Sequence, residues 1–241
     1  MVYSMKTDKG VVRSMNQDNC FLTVFDENAC FAVVCDGMGG PKAGDIASDI
    51  AVKVITEKFV SGWNNRISLN DAKELLVESI NAANTKIYSK ACENPDYEGM
   101  GTTVVAAFCI EDMIVVANVG DSRAYMFNNS LKQITKDHSY VQELIDAGKL
   151  TDEEAENFPY KNIITRALGT HPTVQTDTFF VDIRENEKCL LCSDGLFNFA
   201  SDAEISELLN DVPVNQVATE LVDIANKNGG GDNITALVFS K

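Results

Sequence analysis

The sequence is short of histidine, of positive charge and of long apolar runs, and each shortage removes a class of function. Two histidines occur in 241 residues, so a zinc site built on His and Cys ligands is not expected. Lys and Arg number 20 against 36 Asp and Glu, a net charge of −16. That balance repels nucleic acid and anionic membrane; it suits cations, although solubility alone also accounts for it. No apolar stretch approaches the roughly 18 residues of a membrane span. The N-terminal MVYSMKTDKG has no apolar secretion core. Repeats, low-complexity segments and Pro/Ser-rich linkers are missing as well. One domain over residues 1–241, in the cytoplasm and without a membrane or nucleic-acid partner, is the simplest expectation. Seven cysteines is an odd count. Apart from Cys92 they sit in apolar runs, as reduced thiols used for packing do. Cys189 and Cys192 have CxxC spacing, but without a second pair or a nearby His a zinc or redox role is not expected.

What is present is an ordinary globular composition, 45% hydrophobic and 23% charged. Apolar runs over Asn19–Phe25 and Cys30–Cys35, joined by DENA, predict an antiparallel hairpin. Ala43, Ile46, Ala47, Ile50, Ala51, Val54 and Ile55 keep helical spacing, which predicts a helix over 43–60. Ser68 caps a second helix, with Asp71 at the capping-box position. Closely spaced β-branched runs over 103–110, 113–119, 122–127 and 131–135 predict strands. A polar, helix-prone segment follows. Further strands are expected over 174–182, 188–193 and 234–240, with short helices over 203–209 and 214–226. Strands cluster without βαβ alternation, and the long helices come as a pair. The fold class is therefore α+β with mostly antiparallel sheets, two helices on each, as a layered sandwich.

Acidic residues recur where strands end. Asp18 precedes the first strand of the hairpin and Asp36 follows the second, so the two should approach each other. Asp194, in CSDGL, ends a strand and Asp232, in GGGDNIT, begins one; antiparallel pairing would make a second couple. Asp121, in NVGDSR, interrupts two apolar runs. Any one of these is an ordinary turn former. Gathered at one edge they repel unless protons or cations neutralise them, and hard oxygen ligands suit Mg²⁺, Mn²⁺ or Ca²⁺. The stretch DGMGG adds Gly37, Gly39 and Gly40 after Asp36. Such glycines admit close backbone approach, and a carbonyl there can serve a metal. A nucleotide cradle is the rival reading, but GMGGPKAGD lacks the GK[ST] ending and does not match GxGxxG. Arg13, five residues before Asp18, is a candidate phosphate grip, with a surface ion pair as the alternative. Arg123 reads as a structural ion pair.

Taken together, RSMNQD (Arg13–Asp18), VVCDGMGG (Val33–Gly40), GMGTT, NVGDSRAY, ITKDHS, ITRALG, LCSDGL and GGGDNIT stand in the order and at the spacing of one family. The chain resembles the metal-dependent, type 2C, Ser/Thr protein phosphatases, in their compact bacterial form. The resemblance implies a four-layer αββα sandwich with two Mn²⁺ or Mg²⁺ ions at one end. On that reading Asp36 bridges both ions and the Gly37 carbonyl binds one, while Asp194 and Asp232 hold the other. Asp18 orients metal-bound water, and Arg13 binds the substrate phosphate. Asp121, with Asp194, contributes to a weaker third metal site. Residues from about 139 to 165 form a flap that affects substrate choice. The implied reaction is hydrolysis of phosphoserine and phosphothreonine by a metal-bridging hydroxide, which counteracts Ser/Thr kinases. Expected partners are phosphorylated proteins, a Ser/Thr protein kinase among them, acting on a monomeric enzyme.

Many relatives carry a His in or just after the glycine loop. Here Met38, Pro41 and Lys42 stand there, and His138 belongs to the DHS motif. The expected general acid is therefore a metal-bound water. The alternatives are a catalytically weak phosphoprotein-binding module on the same fold, a phosphatase dedicated to one regulatory protein or small ester, and a Ca²⁺-binding structural protein.

Overall fold

The computed structural model describes residues 1–40, 43–156, 158–160 and 162–241. Its first strand, β1 (Val2–Asp8), was not expected, because apolar and charged residues mix along it and none is fully buried. Pairing with the last strand creates it: Val2 lies opposite Ser240 and Asp8 opposite Ile234. The predicted hairpin is β2 (Asp18–Asp26) and β3 (Ala29–Met38), turning at Glu27 and Asn28. The helix pair follows as α1 (Gly44–Gly62) and α2 (Leu69–Glu93). At the start of α2 the Ser68 hydroxyl accepts from the Asp71 N–H and donates to its carboxylate at 2.7 Å.

Strands then return: β4 (Gly101–Thr102), β5 (Val104–Ile110), β6 (Met113–Val119), β7 (Arg123–Phe127) and β8 (Leu131–Gln133). The polar segment carries two short helices, α3 (Tyr140–Asp146) and α4 (Asp152–Glu156). After it come β9 (Asp177–Asp182) and β10 (Lys188–Cys192), the unexpected one-turn α5 (Asp194–Phe197), then α6 (Asp202–Asp211), α7 (Val214–Lys227) and β11 (Ile234–Ser240). Asp194 thus opens a helix rather than ending a strand, and Asp232 stands two residues before β11.

One sheet has the order β1-β11-β10-β7-β8 and the other β2-β3-β5-β6-β9, with β4 beside β3. The long apolar runs arise because central strands are buried on both faces. In β3, Ala32 and Val34 point into the sandwich, where they meet Leu191, Leu237 and Phe239 of the facing sheet. The alternate residues Phe31, Val33 and Cys35 point out to α1 and α2. There Phe59 stacks on Phe31 at 4.5 Å between ring centroids. On the far side Leu190 and Val238 pack against Leu221 and Val222 of α7. The result is α1 and α2, two sheets, then α6 and α7, the expected four layers. Among the described residues no helix is long and apolar enough to cross a membrane.

Candidate active site

Strand register brings the first couple of acids together. Asp18 and Asp36 are partners in the β2–β3 ladder. Asp18 is buried, and its Oδ2 accepts from Ser193 Oγ at 2.6 Å and Thr235 Oγ1 at 2.7 Å. Both donors come from the facing sheet's β10–β11 end, so this carboxylate ties the two sheets at one end of the sandwich. Its Oδ1 is buried with no hydrogen-bond partner. Asp36 is held through its backbone. Its N–H donates to Thr103 Oγ1 at 3.0 Å, and its carbonyl accepts from Thr102 Oγ1 and the Thr103 N–H, both at 2.8 Å.

The second couple arrives because β10 and β11 pair with Cys192 opposite Ala236. Asp194 Oδ1 is also buried and unpartnered, while Oδ2 accepts from Asn198 at 3.1 Å. Asp232 accepts from Arg13 Nη2 at 2.8 Å. Asp121 sits in the turn between β6 and β7. Its neighbour Arg123 pairs with Asp137 in two-pronged geometry, 2.7 Å at the shortest, as the structural reading expected.

The glycines divide by cause. A Cβ on Gly37 would lie 2.0 Å from the Gly44 carbonyl oxygen, so the loop and α1 meet backbone to backbone. Gly39 and Gly40 have φ of +118° and +83°, in the region that favours glycine. A cavity of about 390 Å³ opens beside them, lined in part by Arg13, Met15, Asp36, Met38 and Asp232. Pro41 and Lys42, where the absence of a loop histidine was noted, lie outside the described residues.

The acids act on one another electrostatically. Burial first, then the charges of Asp18, Asp194, Asp121 and Asp232, push the Asp36 carboxyl well above its usual range. Asp194 is raised by burial and by Asp121, Asp232 and Asp18. Asp18 is pushed up to about 6, mainly by burial, against the pull of its two hydroxyl donors. Asp121 is pushed up to about 6 by burial and by Asp137. Orphaned carboxylate oxygens among like charges are what a hard cation relieves, and the donor set is all oxygen. A hard divalent cation such as Mg²⁺, Mn²⁺ or Ca²⁺ therefore fits. Among the described residues no three Asp, Glu, His or Cys side chains close tightly on one point. Backbone carbonyls and water would have to complete the shell of such a cation.

Sequence reasoning missed the groups that aim these acids. Thr102, Thr103, Ser193 and Thr235 are buried hydroxyls at strand ends. Their only signals were the polar pair in GTT and the polar residues close to the acids of CSDG and DNIT. His138 was also missed as a brace. Its Nδ1 accepts from the Gly120 N–H at 3.0 Å, and its own N–H donates to the Gly120 carbonyl at 2.9 Å. It thereby holds the turn that carries Asp121, with its imidazole at 3.2 Å from Asp177 and driven toward the neutral form by burial.

The family model for protein phosphatase 2C matches residues 10–237. The chain belongs to that family. It is 40% identical to the serine/threonine phosphatase stp of Listeria welshimeri, over 98% of this chain and 94% of that one. The solved structure of serine/threonine phosphatase Stp1 from Staphylococcus aureus superposes with a TM-score of 0.92 at 36% identity, covering 100% of this chain and 95% of that one. The catalytic domain of the serine threonine protein phosphatase PstP, solved with two manganese ions, gives 0.85 at 33% identity, over 98% and 96%. Members of the protein phosphatase 2C family share the four-layer architecture found here, and their activity is metal-dependent dephosphorylation of serine and threonine in proteins.

Proposed function

We propose that the Asp-lined end of the sandwich is where this chain hydrolyses phosphoserine and phosphothreonine on proteins, using two Mn²⁺ or Mg²⁺ ions. The observation that carries the reading is the meeting of Asp18, Asp36, Asp194 and Asp232 at one end, with Asp18 Oδ1 and Asp194 Oδ1 buried and unpartnered. Asp36 faces Asp18 and also feels the charges of Asp194, Asp121 and Asp232; it would help hold both ions, the Gly37 carbonyl would serve one, and Asp194 and Asp232 would hold the other. Asp121, with Asp194, would hold a weaker third ion. Bound there, such ions bring coordinated water toward ionisation at neutral pH and offset charge on phosphoryl oxygens.

The protein's own groups do the positioning. Asp18, fixed by Ser193 and Thr235, accepts a proton or a hydrogen bond from water that approaches the site. Arg13, half-exposed at the mouth, exchanges Asp232 for the substrate phosphate, a dianion that its fork fits in two places. No side chain is assigned as the acid for the leaving alkoxide; water in the site takes that part. Residues 139–165 act as the flap, and the whole chain works as one catalytic domain, as a monomer in the cytoplasm. A Ser/Thr protein kinase is expected among its substrates.

The test is turnover of a phosphothreonine peptide with Mn²⁺, Mg²⁺ or EDTA, for the wild type and Asp36→Ala. Activity only with metal, lost in the variant, is the expected result. Metal-independent turnover or an unimpaired variant removes the reading.

A further inference from the structure

Among the described residues the two most exposed large hydrophobic side chains are neighbours in sequence, Val11 at 69% and Val12 at 70%. An exposed valine by itself is ordinary. This pair is set apart by its support and its position. Gly10 has φ of +78°, and a Cβ there would lie 2.0 Å from the Asp232 carbonyl oxygen, so the backbone of the segment rests directly on the Asp232 loop. The N–H groups of Val11 and Val12 both donate to the Gly230 carbonyl, at 2.8 and 3.2 Å. One side chain, Asn233, closes the arch: its Nδ2 donates to the carbonyls of Lys9 and Met15, both at 2.9 Å, and its Oδ1 accepts from the Gln17 N–H at 2.8 Å. Residues 9–17 are thus pinned at both feet.

This arch delivers Arg13 to the cavity mouth and holds two isopropyl groups in water beside it. Its backbone is already ordered and valine is stiff at χ1, so covering the pair costs little conformational entropy. The cavity lining carries the acids Asp36 and Asp232, and the pair is an uncharged spot one and two residues before the phosphate grip.

We propose that Val11 and Val12 form a specificity lip that takes an apolar side chain one or two residues from the phosphorylated serine or threonine of a protein substrate. The inference rests on the phosphatase reading above and adds to it a substrate class, sites with an apolar flank. The lip selects and does no chemistry.

The experiment uses one phosphothreonine peptide with Leu, Ser or Asp at the flanking positions, on the wild type and the Val11→Ser/Val12→Ser double variant. Two ratios are read for Leu over Ser flanks: kcat/KM with Mn²⁺, and peptide affinity by fluorescence anisotropy. In the wild type both favour Leu by about tenfold, the scale of partly burying one aliphatic side chain. In the variant the ratio falls toward one, through KM rather than kcat, and Val11→Ile/Val12→Ile restores it. A wild-type ratio near one, or a variant that loses Leu- and Ser-flanked peptides equally, overturns the lip. So does a variant whose sedimentation changes while the ratio does not, since the pair then serves self-association. A retained affinity ratio without any turnover supports the lip and counts against the phosphatase reading alone.

Discussion

Asp18 and Asp36 face each other across a strand ladder, whereas Asp194 and Asp232 meet from the start of a short helix and from a loop. The first couple is set by register. A slip of one residue would turn both side chains to the opposite faces, and hydrophobic burial on both sides of β3 forbids that slip. Its surroundings are rigid too, since Asp18 is tied across the sandwich and Asp36 is braced by Thr102 and Thr103. The second couple is adjustable. Asp232 is held by an Arg13 whose side chain is 54% exposed, and that partner is free to leave for a stronger anion. On the proposed reading one couple supplies fixed points, and in the other Asp232 would change partner when ions and substrate arrive.

Substitution at Asp36 gives the largest contrast. Asp36→Ala is expected to lower kcat by about 10³-fold or more, the scale of losing a group that organises the nucleophile. The same change removes a buried charge repelled by four neighbours, so the metal-free variant should melt above the metal-free wild type in calorimetry. A lower melting temperature would contradict the picture of Asp36 as a strained fixed point.

Asp232→Asn comes next, with about 10- to 100-fold weaker metal affinity, read by titrating turnover with Mn²⁺. High Mn²⁺ should restore much of the activity. Losses equal to those at Asp36 and without such rescue would erase the distinction between the couples.

Metal removal tests the acids as a group. The Asp18 carboxyl is at about 6 in the folded chain against 3.8 as its ordinary value. The folded state therefore binds more protons than the unfolded state between those values, and stability falls as pH rises through that window. The Asp18 contribution is fully present below 3.8 and lost above about 6. Chelator-treated protein should melt lower at pH 7 than at pH 5, by on the order of 5–10 °C. Saturating Mn²⁺ should raise the melting point at pH 7 and flatten the trend. A metal-free protein whose melting point climbs over that range would show that the acids are already neutralised by other means.

Thr235→Val is the smallest and sharpest change. It keeps the side-chain shape and deletes the 2.7 Å bond to Asp18 together with the 2.8 Å bond between the Thr235 and Thr7 hydroxyls, at a cost of about 1–2 kcal/mol in denaturant unfolding. Loss of the donor should also raise the Asp18 carboxyl further and shift the acid limb of the pH–rate profile upward. An unshifted limb would remove Asp18 from the proton inventory of the reaction.

Legibility of this molecule followed the range of the forces involved. Helix α1 was readable because its buried stripe, Ala47, Ala51 and Ile55, repeats locally. The hairpin was readable because β2 and β3 are separated by a tight turn. Strand β1 was not, since what orders it is Ile234–Ser240 at the other end of the chain. The acids Asp18, Asp36, Asp121, Asp194 and Asp232 could be named, and so could Arg13. Their braces could not, because Ser193 and Thr235 reach Asp18 over 175 and 217 residues. Nor could the engagement of Arg13 with Asp232, which depends on how the 9–17 arch lies on the Asp232 loop.

By itself, then, the sequence determined most of the element types, the antiparallel character of the sheets and the identity of the charged groups, all of which depend on spacing and side-chain chemistry. Only the tertiary structure decided which oxygens stay unpartnered, which hydroxyls aim the acids and which apolar residues remain in water beside Arg13. Those outcomes depend on contacts between segments far apart in the chain, and no local pattern encodes a contact whose partner lies on the facing sheet.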